Sequence, residues 1–95
     1  MAGMSLDIRN NAEQSRFETN VDGHTAYAAY DLEDPSRIVF THTTVPKELG
    51  GRGIAGEIVK FGLEHARKEG LKVVPQCSYV ATYIEKNPEY RDLVA

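Results

Sequence analysis

The sequence predicts an α+β fold in which an antiparallel meander of three strands is joined to a βαβ unit. Residues 15–45 alternate in polarity or are rich in β-branched and aromatic side chains, as strands are. Residues 54–69 instead repeat apolar side chains with a helical period, and a short apolar segment at 71–74 follows. A strand, a crossover helix and a strand form a right-handed unit whose two strands are parallel.

The composition predicts one small domain, residues 1–95, and excludes several classes of protein. With 11 Lys and Arg against 14 Asp and Glu, the net charge is −3, which argues against a partner held by general electrostatics such as nucleic acid. No apolar run is long enough to span a membrane, and residues 1–20 lack the apolar segment of a signal peptide. The single cysteine, Cys77, excludes a disulfide framework and favours the reducing cytoplasm. Whether residues 1–4 are native is left open.

The meander is predicted from three short segments and the turns between them. Ser15–Val21 alternates, Asp22-Gly23 is a hairpin signal, and Thr25–Leu32 is the second strand. The cluster Glu33–Ser36 is typical of a turn, and Arg37–Val45 is the third strand.

In the second half of the chain, glycines and prolines mark the predicted ends of helices and strands. An amphipathic helix begins after Gly53 and is closed by Gly70, and Leu71–Val74 is a buried strand. Ser78–Lys86 is a second helix, and Asn87-Pro88-Glu89 starts a last short helix with a cap and a proline in its first turn.

Two prolines lie at the carboxyl ends of the strands expected to be parallel neighbours. Pro46 follows the third strand and Pro75 ends the fourth, and neither can donate a ladder hydrogen bond. We expect the two strands to splay there and to leave backbone groups free for a ligand. The alternative is that both prolines merely end their strands.

A glycine-rich turn, Gly50–Gly56, joins the third strand to the long helix. Glycines allow positive φ, so successive N–H groups can converge with those of the helix N-terminus on one anion. The turn lacks the Lys-Ser/Thr of a nucleotide P-loop and the spacing of a dinucleotide fingerprint. It therefore indicates a phosphate or pyrophosphate site, although a lone glycine turn is also compatible with a purely structural role.

These segments together resemble the GNAT superfamily of acetyl-CoA-dependent N-acetyltransferases, and most of all its small single-domain members. The resemblance covers over half the chain and implies a compact GNAT-like fold with a splayed parallel strand pair. Its motifs are His42–Pro46, Gly51–Ala55, Val73–Tyr79 and Asn87-Pro88.

The resemblance implies where acetyl-CoA would bind. The phosphate loop of the family would contact the pyrophosphate, and the strand before it would carry the pantetheine arm. The loop position that holds Arg or Gln in the family is Gly50 here, which removes a side chain but not the N–H groups. The implied cofactor-binding residues are Thr44, Val45, Gly51, Arg52, Gly53, Ile54, Ala55 and Asn87.

Two side chains are candidates for catalysis. Cys77 lies at the start of the second predicted helix, where a thiol pKa is lowered, and could be a nucleophile, an acid for the leaving thiolate, or only a buried neighbour. His42 shares a face with Ile38, Phe40 and Thr44 by alternation, and could be the general base or a structural residue. The three histidines are unclustered, so no metal site is expected.

The predicted function is transfer of acetyl from acetyl-CoA to an amine of a small molecule or protein. The alternative is a non-catalytic CoA or acyl-CoA binding module, which the scarcity of acceptor-binding elements favours. The amine acceptor is unknown; neither nucleic acid nor membrane is expected as a partner, and a monomer or weak dimer is expected.

Overall fold

The computed structural model describes residues 6–95, so the question of residues 1–4 lies outside it. Five strands form one mixed sheet, and two helices pack on it, which confirms the α+β class. Short 3-10 helices span Lys47–Leu49 and Pro88–Leu93. The longer elements are β1 Arg9–Asn11, β2 Arg16–Val21, β3 His24–Asp34, β4 Arg37–Thr44, α1 Ile54–Glu69, β5 Lys72–Pro75 and α2 Ser78–Lys86.

The strands follow the order β1-β2-β3-β4-β5 across the sheet. The first four are antiparallel and β4–β5 is parallel. The antiparallel order of β2, β3 and β4 and the parallel pairing of β4 with β5 are as the sequence predicts. The sequence does not predict β1, because its three polar residues show no alternation. Glu18 of β2 holds this strand, since its carboxylate accepts hydrogen bonds from the side chains of Arg9 and Asn11.

The two predicted turns of the meander are present. Asp22 and Gly23 have φ of 52° and 79°, the left-handed pair that a two-residue hairpin needs. The second turn is shorter than predicted, because β3 continues to Asp34. The Asp34 carboxylate accepts hydrogen bonds from the Ser36 amide and hydroxyl, at 2.8 and 2.6 Å, so Pro35 and Ser36 suffice to reverse the chain.

One face of the sheet carries the core. Phe17, Tyr30 and Phe40 project from three strands into a single buried cluster that also contains the inner residues of α1 and α2. Gly62 of α1 lies directly over two of these rings: a Cβ there would come within 3.0 Å of both Phe17 and Phe40. The missing side chain therefore sets how closely α1 approaches the sheet.

A bulge in β4 reverses which side chains face the core. Tyr30 of β3 lies opposite Phe40, but the preceding Ala29 lies opposite His42, so Thr41 has no partner of its own in β3. An extra residue of this kind shifts the alternation by one position. The expectation that His42 shares a face with Ile38 and Phe40 is therefore wrong: it lies on the opposite face, with Thr44.

The parallel strands separate at their carboxyl ends. Pairing runs from Arg37–Lys72 to Phe40–Pro75, and beyond it the residues of β4 pair only with β3. Pro75 is included in the pairing, one residue further than expected. The sheet tolerates it because the next ladder donor is the Cys77 amide, which donates to the Phe40 carbonyl at 2.9 Å. The predicted splay thus begins after Phe40.

Within residues 6–95, neither helix has the length and apolar character needed to cross a membrane.

Candidate functional site

The glycine turn brings an open helix N-terminus to the carboxyl end of β4. Gly51 and Gly53 have φ of 79° and 73°, values that side chains rarely adopt, and a Cβ at either position would meet open space. Gly53 is the N-cap of α1, and no side chain of the described residues caps the helix by a hydrogen bond. The amides of the first turn, at Ile54, Ala55 and Gly56, have no carbonyl one turn earlier to bond, which suits them to an anion.

Arg52 lies in this turn but is already paired. Its Nη1 is 3.1 Å from an Asp22 carboxylate oxygen, at the tip of the β2–β3 hairpin, and both side chains are exposed. The hairpin tip therefore adjoins the glycine turn. The sequence indicates only a turn at Asp22, because nothing in the local pattern links it to a residue thirty positions away.

The opening between β4 and β5 is lined on one side by the last residues of β4. Thr44 is exposed and lies opposite Tyr27 of β3, whereas Val45 is half-buried and packs against the core. Thr43 lies opposite Ala28, a core residue, and therefore turns its side chain to the helix-covered face.

Cys77 lies on the other side of this opening, at the N-cap of α2. Its Sγ is 3.5 Å from Thr43 Oγ1, so the thiol and the hydroxyl bridge the two strands where their ladder has ended. Burial raises the pKa of the Cys77 thiol. The Thr43 hydroxyl, with the amides of Val80 and Tyr79 in the first turn of α2, outweighs burial and brings that pKa below its ordinary value.

His42 is exposed on the face opposite to the helices. Its ring meets the edge of Tyr27, with centroids 5.9 Å apart, and its Nδ1 is 3.3 Å from Thr41 Oγ1. Tyr27 also carries the guanidinium of Arg16 over its ring at 4.5 Å. His42 and Cys77 thus flank β4 from opposite faces, a relation that the bulge creates and that alternation could not predict.

Two further residues, Tyr79 and Asn87, lie near the two ends of α2. The hydroxyl of Tyr79 is 3.4 Å from where a Cβ on Gly56 would be, so the first turns of the two helices are close neighbours. Asn87 is at the other end of α2, where its Nδ2 donates to the Tyr83 carbonyl at 2.9 Å. Asn87 is therefore separated by the length of α2 from Cys77. Within the described residues, no group of three His, Cys, Asp or Glu side chains is arranged to hold a metal ion.

Residues 16–93 match a family model described as GCN5-related N-acetyl-transferase. The chain belongs to the GCN5-related N-acetyltransferase family. This confirms the resemblance drawn from the four sequence motifs, and makes the chain an acyltransferase by family.

A solved structure supports the same assignment. The NMR solution structure of a GCN5-like protein from Staphylococcus aureus is 33% identical in sequence, with a TM-score of 0.74. The match covers 97% of this chain and 91% of the other, so the similarity extends over most of both chains rather than one motif.

Proposed function

We propose that this GCN5-related N-acetyltransferase transfers an acetyl group from acetyl-CoA to an amine of a small molecule or protein. The observation that supports this most is the contact between Cys77 and Thr43. It joins the two parallel strands at the point where their ladder ends. Cys77 begins α2, whose first turn neighbours the uncapped first turn of α1. A thioester fixed by its phosphates at the glycine turn would reach this opening.

Several main-chain and side-chain groups could bind the cofactor. Gly51, Gly53, Ile54 and Ala55 offer amides for the pyrophosphate, and Arg52 offers a guanidinium once it leaves Asp22. In this proposal the pantetheine arm follows Thr44 and Val45. Asn87, held by the carbonyl of Tyr83, would contact the cofactor from the far end of α2.

The proposed reaction uses the two faces of β4 differently. The amine nitrogen approaches from the face of His42, which accepts the amine proton as the nitrogen attacks the acetyl carbonyl carbon. Backbone N–H groups of β4 stabilise the tetrahedral oxyanion. The C–S bond then breaks, and Cys77 donates its proton to the CoA thiolate before regaining one from solvent.

A covalent route is the alternative for Cys77. Its lowered thiol pKa increases the fraction of thiolate, which could attack the thioester and carry the acetyl group to the amine. The two routes differ in whether an acetylated Cys77 forms before the acceptor is added.

The acceptor is an amine of a small molecule or protein, and the exposure of His42 and Thr44 leaves room for either. A single cysteine suits a reducing compartment such as the cytoplasm. A monomer or weak dimer, with neither nucleic acid nor membrane as partner, completes the proposal.

Titration with acetyl-CoA, followed by mass spectrometry of the protein and of model amines, tests the proposal. We expect binding, and acetylation of an amine that is lost in His42→Ala and strongly reduced in Cys77→Ala. Gly53→Val should abolish binding, because its side chain crowds the phosphates and strains a positive φ. Gly70→Val is the matched control, since Gly70 has φ of 71° at the opposite end of α1.

Each arm of this experiment has a contrary outcome. Equal CoA affinity in folded Gly53→Val and Gly70→Val would remove the phosphate site. Binding without transfer to any amine would leave a CoA-binding module. An acetyl group on Cys77 before acceptor addition would replace the acid role by the covalent one.

A further inference from the structure

The outer face of α1 carries charged side chains around one exposed aromatic residue. Phe61 is 37% exposed although its ring also contacts Phe17. Residues three and four positions apart share a helix face. The exposed side chains along this face, here called the α1 stripe, are Glu57, Lys60, Phe61, Glu64 and Lys68.

Two apolar depressions lie on either side of Phe61. The first, of about 240 Å³, is bounded by Ile8 together with Glu57, Lys60 and Glu64. The second, of about 220 Å³, is bounded by Phe61 together with Glu64, His65 and Lys68. The surface therefore consists of a partly exposed aromatic ring with an apolar hollow on either side, among charged side chains.

We infer that the α1 stripe is a self-association surface and that its partner is a second copy of this chain, packed with the two α1 helices antiparallel. In a two-fold pair, the same patch on each copy must complement itself. The α1 stripe meets this condition in both shape and charge.

One register satisfies all the contacts at once. When Phe61 of one copy enters the second depression of the other, it lies near residues 64 and 65 there. When two helices run antiparallel, a step forward along one helix is matched by a step backward along the other, so the numbers of facing residues add to nearly the same total. Because position 61 faces position 64, Glu57 faces Lys68, and Lys60 lies close to Glu64. Each pair occurs twice by symmetry. A parallel pair would instead oppose Glu57 with Glu57 and Lys60 with Lys60.

The surface is small, so the association is weak. Stable dimers bury roughly 1,200–2,000 Å² in total, and the whole described chain exposes 5731 Å². One stripe on one helix belongs to the transient class, in which ion pairs across the contact decide the pairing geometry more than they add affinity.

Sedimentation velocity at increasing protein concentration and low salt tests the inference. We expect a monomer of 10.6 kDa at low concentration and a concentration-dependent dimer. Glu57→Lys and Lys68→Glu should each weaken the dimer by roughly tenfold, since each turns two attractions into repulsions. Glu85→Lys on α2 is the control, because it makes the same charge change on an exposed residue outside the α1 stripe. Glu64 is avoided because it accepts a hydrogen bond from the Tyr90 hydroxyl.

Mixing the Glu57→Lys and Lys68→Glu variants gives the decisive measurement. In a mixed pair, the two substituted positions face each other with opposite charges. The unmodified Lys68 of the first variant likewise faces the unmodified Glu57 of the second, so association should return. Circular dichroism checks that each variant is folded. Concentration-independent monomers of the unmodified protein, or a mixture that associates no better than its components, would overturn the inference.

Discussion

The Thr43 hydroxyl helps to lower the pKa of Cys77, which carries the only thiol in the chain. Cys77 is buried, and burial alone would raise its pKa and make it inert. Thr43 Oγ1 at 3.5 Å and the amides that begin α2 reverse this effect. The protonation state of the Cys77 thiol thus depends on a residue that is thirty-four positions away in sequence.

The pH dependence of Cys77 alkylation tests this dependence. The thiolate is the reactive form, so a lowered pKa moves the midpoint of the rate profile to lower pH than in the unfolded chain. Thr43→Val removes the hydroxyl at nearly constant volume and should move that midpoint to higher pH. Thr44→Val, on the opposite face, should leave it unchanged. Equal profiles for the two variants would contradict the role given to the hydroxyl.

At the scale of single residues, the sequence identifies candidate catalytic side chains but not which of them are in contact or share a face of the sheet. Cys77 could be found because it follows Pro75 at the start of a predicted helix. Its contact with Thr43, and the separation of His42 onto the other face, both depend on the bulge at Thr41. An extra residue in one strand has no signature in the alternation of that strand, so these relations required the structure.

At the scale of elements, Gly62 decides how α1 packs. From the sequence alone, a glycine inside a helix is expected to lower the stability of that helix. In the fold it is a point of close approach, because a Cβ there would lie only 3.0 Å from the Phe17 and Phe40 rings. The helical period predicts both helices because their buried faces repeat. β1 could not be predicted, since pairing with β2 rather than any pattern of its own makes it a strand.

Chemical denaturation of two alanine variants tests the packing of α1. Gly62→Ala should lower the free energy of unfolding by about 1–2 kcal/mol, because overpacking two buried rings outweighs the gain in helix propensity. Gly56→Ala is the comparison, since its Cβ would make ordinary contacts at 3.4 and 3.8 Å. That variant should be neutral or more stable by up to about 1 kcal/mol. Stabilisation of both variants to the same extent would contradict the close packing at Gly62.

At the scale of the whole molecule, an acidic protein is proposed to bind an anionic cofactor. The net charge of −3 repels CoA weakly at long range, while the helix N-terminus and Arg52 attract it locally. Salt screens exposed charges most and converging amides least. The ion pair of Arg52 with Asp22 adds competition, because the cofactor must displace a carboxylate.

The proposed binding mode therefore predicts a moderate salt dependence. Raising the ionic strength from about 0.05 to about 0.5 M should weaken CoA binding by only a few-fold. Arg52→Ala should weaken binding and flatten this dependence, whereas Asp22→Asn should strengthen binding by freeing the guanidinium. Calorimetric titrations measure both. If neither the salt concentration nor either substitution changed the affinity for CoA, the phosphates would be bound elsewhere.

The outer edge of β5 is closed by the residues that follow α2. Val94 forms a parallel bridge with Val73, and the Ala95 amide donates to the Val73 carbonyl at 2.9 Å. The opposite edge, β1, is three residues long and includes the charged side chain of Arg9. Exposed strand edges are templates for aggregation, and short, charged or covered edges are how proteins prevent it. These two outer edges consequently offer little backbone for another chain to extend, which disfavours growth into fibrils by strand addition at either of them.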